Sequence, residues 1–191
     1  MDVRLPPART PPALLVAFAC LIAAAALGVG GCASYPRTVE RVDMTQFAGK
    51  WYEIAHYPQD YDHGCVATTT AYDPLSGDRA WVVRECREGS FTAPIKRVTG
   101  SALVYGPENT RWSVQYPPGP AVEYWVLQLD PAYRFAALGT PDRKGLWIVS
   151  RTPTMPPDEY DRMVRRLKDD KWDTARLRIT PQLPEQLPAG G

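Results

Sequence analysis

Short segments rich in β-branched and aromatic residues recur between positions 50 and 150, and turn-forming residues separate them. The pattern predicts eight strands, at 50–57, 65–72, 80–86, 97–105, 111–115, 123–130, 134–138 and 146–150. Each break contains proline or glycine, which interrupt or weaken a strand ladder. Eight strands at this spacing predict an all-β fold, either a sandwich or a closed antiparallel up-and-down barrel.

One segment departs from this pattern and predicts a helix. Pro156 and Pro157 precede two acidic residues, and both features favour a helix N-terminus. Apolar residues then recur at helical spacing, which predicts a single apolar face: Tyr160, Met163, Val164 and Leu167. The basic residues lie mostly on the opposite face, which we interpret as solvated. A short final strand is predicted at 175–180.

The N-terminal segment has the pattern of an export signal. Arg4 and Arg9 precede a charge-free apolar run over 13–27, and small residues then lead to Cys32. This pattern resembles a bacterial lipoprotein signal, which implies cleavage before Cys32, acylation of its thiol and amine, and residence on the periplasmic side of the outer membrane. The alternative is an uncleaved membrane helix, but the run is short for a bilayer core, which needs about 20 apolar residues.

These features give a predicted domain organisation. We expect a signal peptide over 1–31, a lipidated tether over 32–42, one folded domain over 43–180 and a flexible tail over 181–191. The chain has 22 basic and 21 acidic residues, and the part from Cys32 onward has equal numbers of each. Because no basic patch is present, nucleic acid is not an expected partner.

Two cysteines remain after Cys20 and Cys32 are assigned to the signal and the anchor. Cys65 and Cys86 lie on consecutive predicted strands, and a hairpin centred between Pro74 and Gly77 places them opposite each other. In an oxidising compartment this arrangement predicts a disulfide. Two free buried cysteines are the alternative. Neither cysteine lies in a histidine-rich cluster, so no metal site or cofactor is expected.

Three ordered motifs give the chain a family resemblance. Gly49-Lys50-Trp51 matches the Gly-x-Trp signature of lipocalins, residues 129–133 occupy the place of the second lipocalin motif, and residues 147–153 match the third. The residues of the first and third motifs resemble those of the lipocalin branch that contains bacterial outer-membrane lipocalins and apolipoprotein D. The resemblance spans nearly all of 43–180 and implies an eight-stranded up-and-down barrel with a C-terminal helix packed outside and a short final strand.

The resemblance also implies roles for several residues. Gly49, Trp51 and Arg151 are expected to close one end of the barrel, with the guanidinium of Arg151 across the indole of Trp51. Period-two alternation from Trp51 predicts that Glu53 and Tyr57 also point inward. Trp147 shares the face of Arg151, and we expect Glu53, Tyr57 and Trp147 to contact a ligand. The alternative for Glu53 is a carboxylate bonded within the wall. On strand six, the residues do not indicate which face lines the cavity.

The function expected from this resemblance is lipid binding rather than catalysis. The ligand would be a fatty acid, a lysophospholipid or a similar amphiphile, stored or transported for envelope maintenance. An isomerase-like enzyme and a structural or protein-binding lipoprotein are the alternatives. His56 and His63, the only histidines, are too few for a zinc site. A homodimer is compatible with the chain, but no residue indicates one.

Overall fold

The computed structural model describes residues 35–60, 64–75 and 77–183. The segment expected to be a signal peptide, Cys32, the start of the expected tether and most of the expected tail lie outside these residues. Among the described residues, no helix is long and apolar enough to span a membrane.

Nine strands and two α-helices make up the described chain. The helices are α1 (Met44–Phe47) and α2 (Pro157–Asp169). The strands are β1 (Gly49–His56), β2 (Cys65–Pro74), β3 (Arg79–Glu88), β4 (Ile95–Tyr105), β5 (Arg111–Gln115), β6 (Ala121–Leu129), β7 (Phe135–Gly139), β8 (Leu146–Ser150) and β9 (Arg178–Ile179).

The first eight strands form a closed barrel. Each strand from β2 to β7 pairs antiparallel with the next, and β1 pairs with both β8 and β2. This closure confirms the predicted up-and-down barrel and leaves the eight-stranded sheet without a free edge. The ninth strand, β9, pairs with β1 near the point where β1 and β2 diverge.

The helix α2 packs against the outside of the barrel, as its single apolar face predicts. Met163 and Leu167 are buried in an outer core that also contains Trp172 and residues from β6, β7 and β8. A second core fills the closed end of the barrel interior around Trp51. The apolar side chains are thus divided between a floor inside the barrel and a layer beneath the helix.

Three expectations about the elements need correction. The α1 helix is missing from the prediction, and its N-cap Asp43 accepts backbone hydrogen bonds from Thr45 and Gln46. The final element is shorter than 175–180, because a 3-10 turn over Thr174–Arg176 precedes β9. The segment expected to be a tether packs on the barrel: Val42 is fully buried, and the Val39 amide donates to the carbonyl of Val126.

The register of the first hairpin also differs from the expectation. Cys65 pairs with Glu88 instead of Cys86, and Tyr72 pairs with Val82. The strands extend further into the turn than the prolines and glycines suggested, and a bulge follows Val66. The register differs because the length and geometry of the loop fix which residues of a hairpin pair.

Candidate ligand-binding cavity

Aromatic side chains seal one end of the barrel. The rings of Phe47 and Trp51 lie 4.7 Å apart, and Phe47 also contacts the rings of Tyr72 and Trp112 edge-on. The indole of Trp51 is fully buried and donates to the carbonyl of Phe47 at 2.9 Å. Trp51 therefore connects the first barrel strand to α1 and forms the floor of the interior.

Arg151 closes this end from outside the floor. Its guanidinium carbon lies 3.9 Å from the centroid of the Trp51 ring, within the range of a cation–π contact. The same group donates to the carbonyls of Gln46 at 2.6 Å, Lys50 at 2.9 Å and Tyr133 at 3.3 Å. Gly49 has a φ of +89°, and a Cβ there would lie 3.6 Å from the guanidinium of Arg151, so the backbone conformation itself favours glycine.

Above the floor lies a cavity of about 890 Å³ that opens at the opposite end of the barrel. Its deep walls are mainly apolar and include Tyr72, Val114, Leu138 and Val149. Its rim is formed by the loops around 116–122 and 140–145. The volume falls in the range of about 300–1,000 Å³ that is typical of small-molecule sites.

Trp147 lines this cavity on one wall. Its ring lies 4.9 Å from that of Tyr124, so the two form an aromatic pair facing the interior. Tyr124 and Val126 belong to the inner side of β6, whereas Trp125 and Leu127 belong to the layer beneath the helix. A register shift between Val126 and Gln128 reverses this alternation at the end of the strand.

The expectation that Tyr57 lines the cavity is wrong. Tyr57 is buried in the outer core, its hydroxyl donates to the carbonyl of Asp173, and its ring packs against Trp172. The reason is a register shift between Glu53 and Ala55 in the pairing of β1 with β8. A bulge adds one residue to a strand, so the side chains beyond it change faces.

Glu53 does line the cavity, but its carboxylate is bonded within the wall. One oxygen accepts from the hydroxyl of Thr180 at 2.7 Å and lies 3.1 Å from Nδ1 of His56. The other lies 3.5 Å from Nη2 of Arg84. Burial raises the pKa of Glu53, but the hydrogen bond from His56, the charge of Arg84 and the Thr180 hydroxyl outweigh that effect and lower this pKa below its ordinary value.

Sequence reasoning missed three cationic residues that also line the cavity, Arg84, Lys96 and Lys144. Arg84 lies midway along β3, and Lys96 lies nearer the rim, where it pairs with Glu88 at 2.5 Å. The signal was present in the chain, because Arg84 is two residues before Cys86 and therefore shares its face.

The predicted disulfide is confirmed between Cys65 and Cys86, whose Cα atoms lie 5.6 Å apart. The bridge runs diagonally, since the two cysteines are not directly paired in the ladder. It joins β2 to β3 at the cavity wall. A bonded pair leaves neither sulfur as a free thiol, which argues against a thiol nucleophile at these positions.

The histidines do not form a metal centre within the described part of the chain, which contains no cluster of three or more metal-ligating side chains. His56 is partly buried and bonds Thr180 at 2.8 Å through Nδ1. His63 lies outside the described residues.

A closed antiparallel barrel with a sealed aromatic floor, an open rim and a ligand-sized interior defines a calyx-type β-barrel. A family model for the lipocalin-like domain matches residues 42–182. The chain belongs to the lipocalin family.

Relatives from several kingdoms resemble this chain over most of its length. It is 29% identical over 153 residues to temperature-induced lipocalin-1 of Arabidopsis thaliana, covering 75% of this chain and 81% of the relative. It is 29% identical to the outer membrane lipoprotein Blc of Escherichia coli K12, and the match covers 73% of this chain and 78% of the relative. It is 26% identical to apolipoprotein D of Bos taurus, and the match covers 91% of this chain and 97% of the relative.

Solved structures show the same fold at lower identity. Insecticyanin from the tobacco hornworm Manduca sexta superposes with a TM-score of 0.61 at 18% identity, covering 80% of this chain and 86% of insecticyanin. Lobster apocrustacyanin A1 gives a TM-score of 0.59 at 17% identity, covering 74% and 80%.

Proposed function

We propose that this protein is a lipid-binding lipoprotein of the outer membrane. Its calyx holds the hydrocarbon tail of a fatty acid, a lysophospholipid or a similar amphiphile. In this role it stores or carries such lipids for envelope maintenance, and it acts as a binding protein, not as an enzyme.

The single observation that supports lipid binding most directly is the open, largely apolar cavity of about 890 Å³ above the Trp51 floor. Each methylene transferred from water contributes about 0.8 kcal/mol, so ten contribute on the order of 8 kcal/mol. Immobilisation costs reduce this gain. The remainder supports micromolar or tighter binding with loose selectivity among tails.

The proposed location at the outer membrane rests on the lipoprotein signal pattern that ends at Cys32 and on the names of the relatives. Relatives in Escherichia coli and Vibrio cholerae are named outer membrane lipoproteins. Acylation at Cys32 with more than one chain would hold the barrel durably at the membrane surface.

Native mass spectrometry of the protein purified from cells tests this proposal. We expect a population heavier than the polypeptide by the mass of one amphiphile, and peptide mapping should find the acyl groups on Cys32. A protein that carries no lipid after purification and takes up none when fatty acid or lysophospholipid is added would contradict the proposal.

A further inference from the structure

A charged layer interrupts the apolar wall of the cavity. Arg84 lies midway along β3, between Val82, which is fully buried near the floor, and Cys86 nearer the rim. Glu53 lies on β1 and is only 5% exposed. Both residues line the cavity. Buried charges of this kind are costly unless they are paired, so their presence inside a lipid-sized cavity requires an explanation.

The partners of Glu53 show that its carboxylate is committed to the wall. The hydroxyl of Thr180 has one hydrogen and donates it to Glu53 at 2.7 Å. The bond between Thr180 and Nδ1 of His56, at 2.8 Å, must therefore use a hydrogen on the histidine nitrogen. Glu53 is thus held by Thr180, which follows β9, and by His56 on its own strand.

Arg84 is the cationic member of this layer, and its side chain lines the cavity. The carboxylate of Glu53 lies 3.5 Å from Nη2 of Arg84. A guanidinium carries five N–H donors in a planar fork, and this fork matches a carboxylate or a phosphate. A cationic headgroup is the less favoured occupant, because both oxygens of Glu53 already face donors on the wall.

We propose that Arg84, held in place by Glu53, receives the anionic group of the amphiphile inside the cavity and makes this calyx selective for acidic lipids. The anionic group is a carboxylate or a phosphate. The tail then packs against the aromatic wall formed by Tyr124 and Trp147. This inference rests on the proposed lipid-binding function and adds the headgroup class and its position.

Three probes with the same sixteen-carbon chain test the selectivity: hexadecanoate, hexadecyl phosphate and hexadecanol. Their affinities are compared by displacement of a fluorescent fatty-acid analogue at a pH where both acids are ionised. We expect at least one acid to bind about tenfold more tightly than the alcohol, the size of one charge-assisted hydrogen bond. The tighter of the two acids identifies the headgroup.

Variants then locate the cation responsible. Arg84→Gln is expected to remove the preference for the acid. A double variant of the rim lysines that line the cavity, Lys96→Gln with Lys144→Gln, is the matched control and should keep that preference. Circular dichroism and thermal unfolding confirm that each variant folds. If Arg84→Gln does not fold, the rim variant still decides, because loss of the preference there would place the headgroup at the mouth and overturn the inference.

The outcomes separate this inference from the function on which it rests. Equal affinity for the acids and the alcohol would overturn the role of Arg84 and leave lipid binding intact. Failure of all three probes to bind would overturn both. A preference that survives in Arg84→Gln would likewise contradict the inference.

Discussion

Replacing Arg151 by lysine removes the planar group that closes the barrel while keeping its positive charge. In the native protein the guanidinium stacks 3.9 Å from the Trp51 ring centroid and donates to three carbonyls, on α1, on β1 and in the loop before β7. An ammonium group on a flexible stem cannot stack as a plane, and it reaches fewer of these carbonyls. The closed end of the barrel therefore loses connections among three segments.

The expected cost follows from these contacts. The cation–π contact contributes about 0.5–2 kcal/mol, and each charge-assisted hydrogen bond contributes about 1.5 kcal/mol or more. Water and the lysine ammonium recover part of this interaction energy, because Arg151 is only half-buried. We expect Arg151→Lys to lower the free energy of unfolding by about 3 kcal/mol, which for a domain of this size corresponds to about 6–12 °C in Tm.

Urea denaturation followed by tryptophan fluorescence and far-ultraviolet circular dichroism measures this change. Arg162→Lys is the matched control, because Arg162 is 47% exposed and pairs with Asp158 one turn earlier on α2. It should change the free energy of unfolding by less than about 0.5 kcal/mol. If Arg151→Lys is as stable as this control, the closure described for this end of the barrel is wrong.

Three further predictions follow from the cavity and its wall. Trp147→Ala should weaken hexadecanoate binding about tenfold through lost apolar contact, whereas Trp81→Ala, on the outer face, should leave the dissociation constant unchanged; equal effects would reject the inward position. The folded-state pKa of Glu53 lies below its ordinary 4.5, so its ionised form stabilises the fold at neutral pH, and this stability is lost as the pH falls below 4.5. Glu53→Gln should therefore reduce the dependence of Tm on pH in the acid range. An unchanged slope would contradict this. Replacing Cys65 and Cys86 by serine should lower the free energy of unfolding in urea by about 3 kcal/mol, and an unaltered midpoint would argue against the bridge.

The barrel itself could be predicted from the sequence because its signals are local. The breaks between strands contain proline or glycine, and the apolar face of α2 repeats at helical spacing through Met163 and Leu167. The Gly-x-Trp motif further indicated where β1 begins. These patterns fix the order of elements without any knowledge of their pairing.

The wrong predictions concern which side chains face the cavity, because strand pairing decides this. Bulges near Ile54 and Ala67 change which side chains face inward, and neither is visible in the alternation of residues. For this reason Trp147 was correctly placed on the cavity wall while Tyr57 was not. The layer around Glu53 depends on Thr180, 127 residues away along the chain. No local pattern could have brought these two together.

The central claim, that the interior of the barrel holds a hydrocarbon tail, is tested most directly by blocking the cavity. Thr70 lines it, and Thr99 is exposed on β4, so Thr70→Trp and Thr99→Trp add the same side chain inside and outside the barrel. Calorimetric titration with hexadecanoate should show one site with a negative heat capacity change in the wild type and in Thr99→Trp. Thr70→Trp should bind about tenfold more weakly or not at all. Equal affinity in a folded Thr70→Trp would contradict the account, because the ligand would then lie elsewhere.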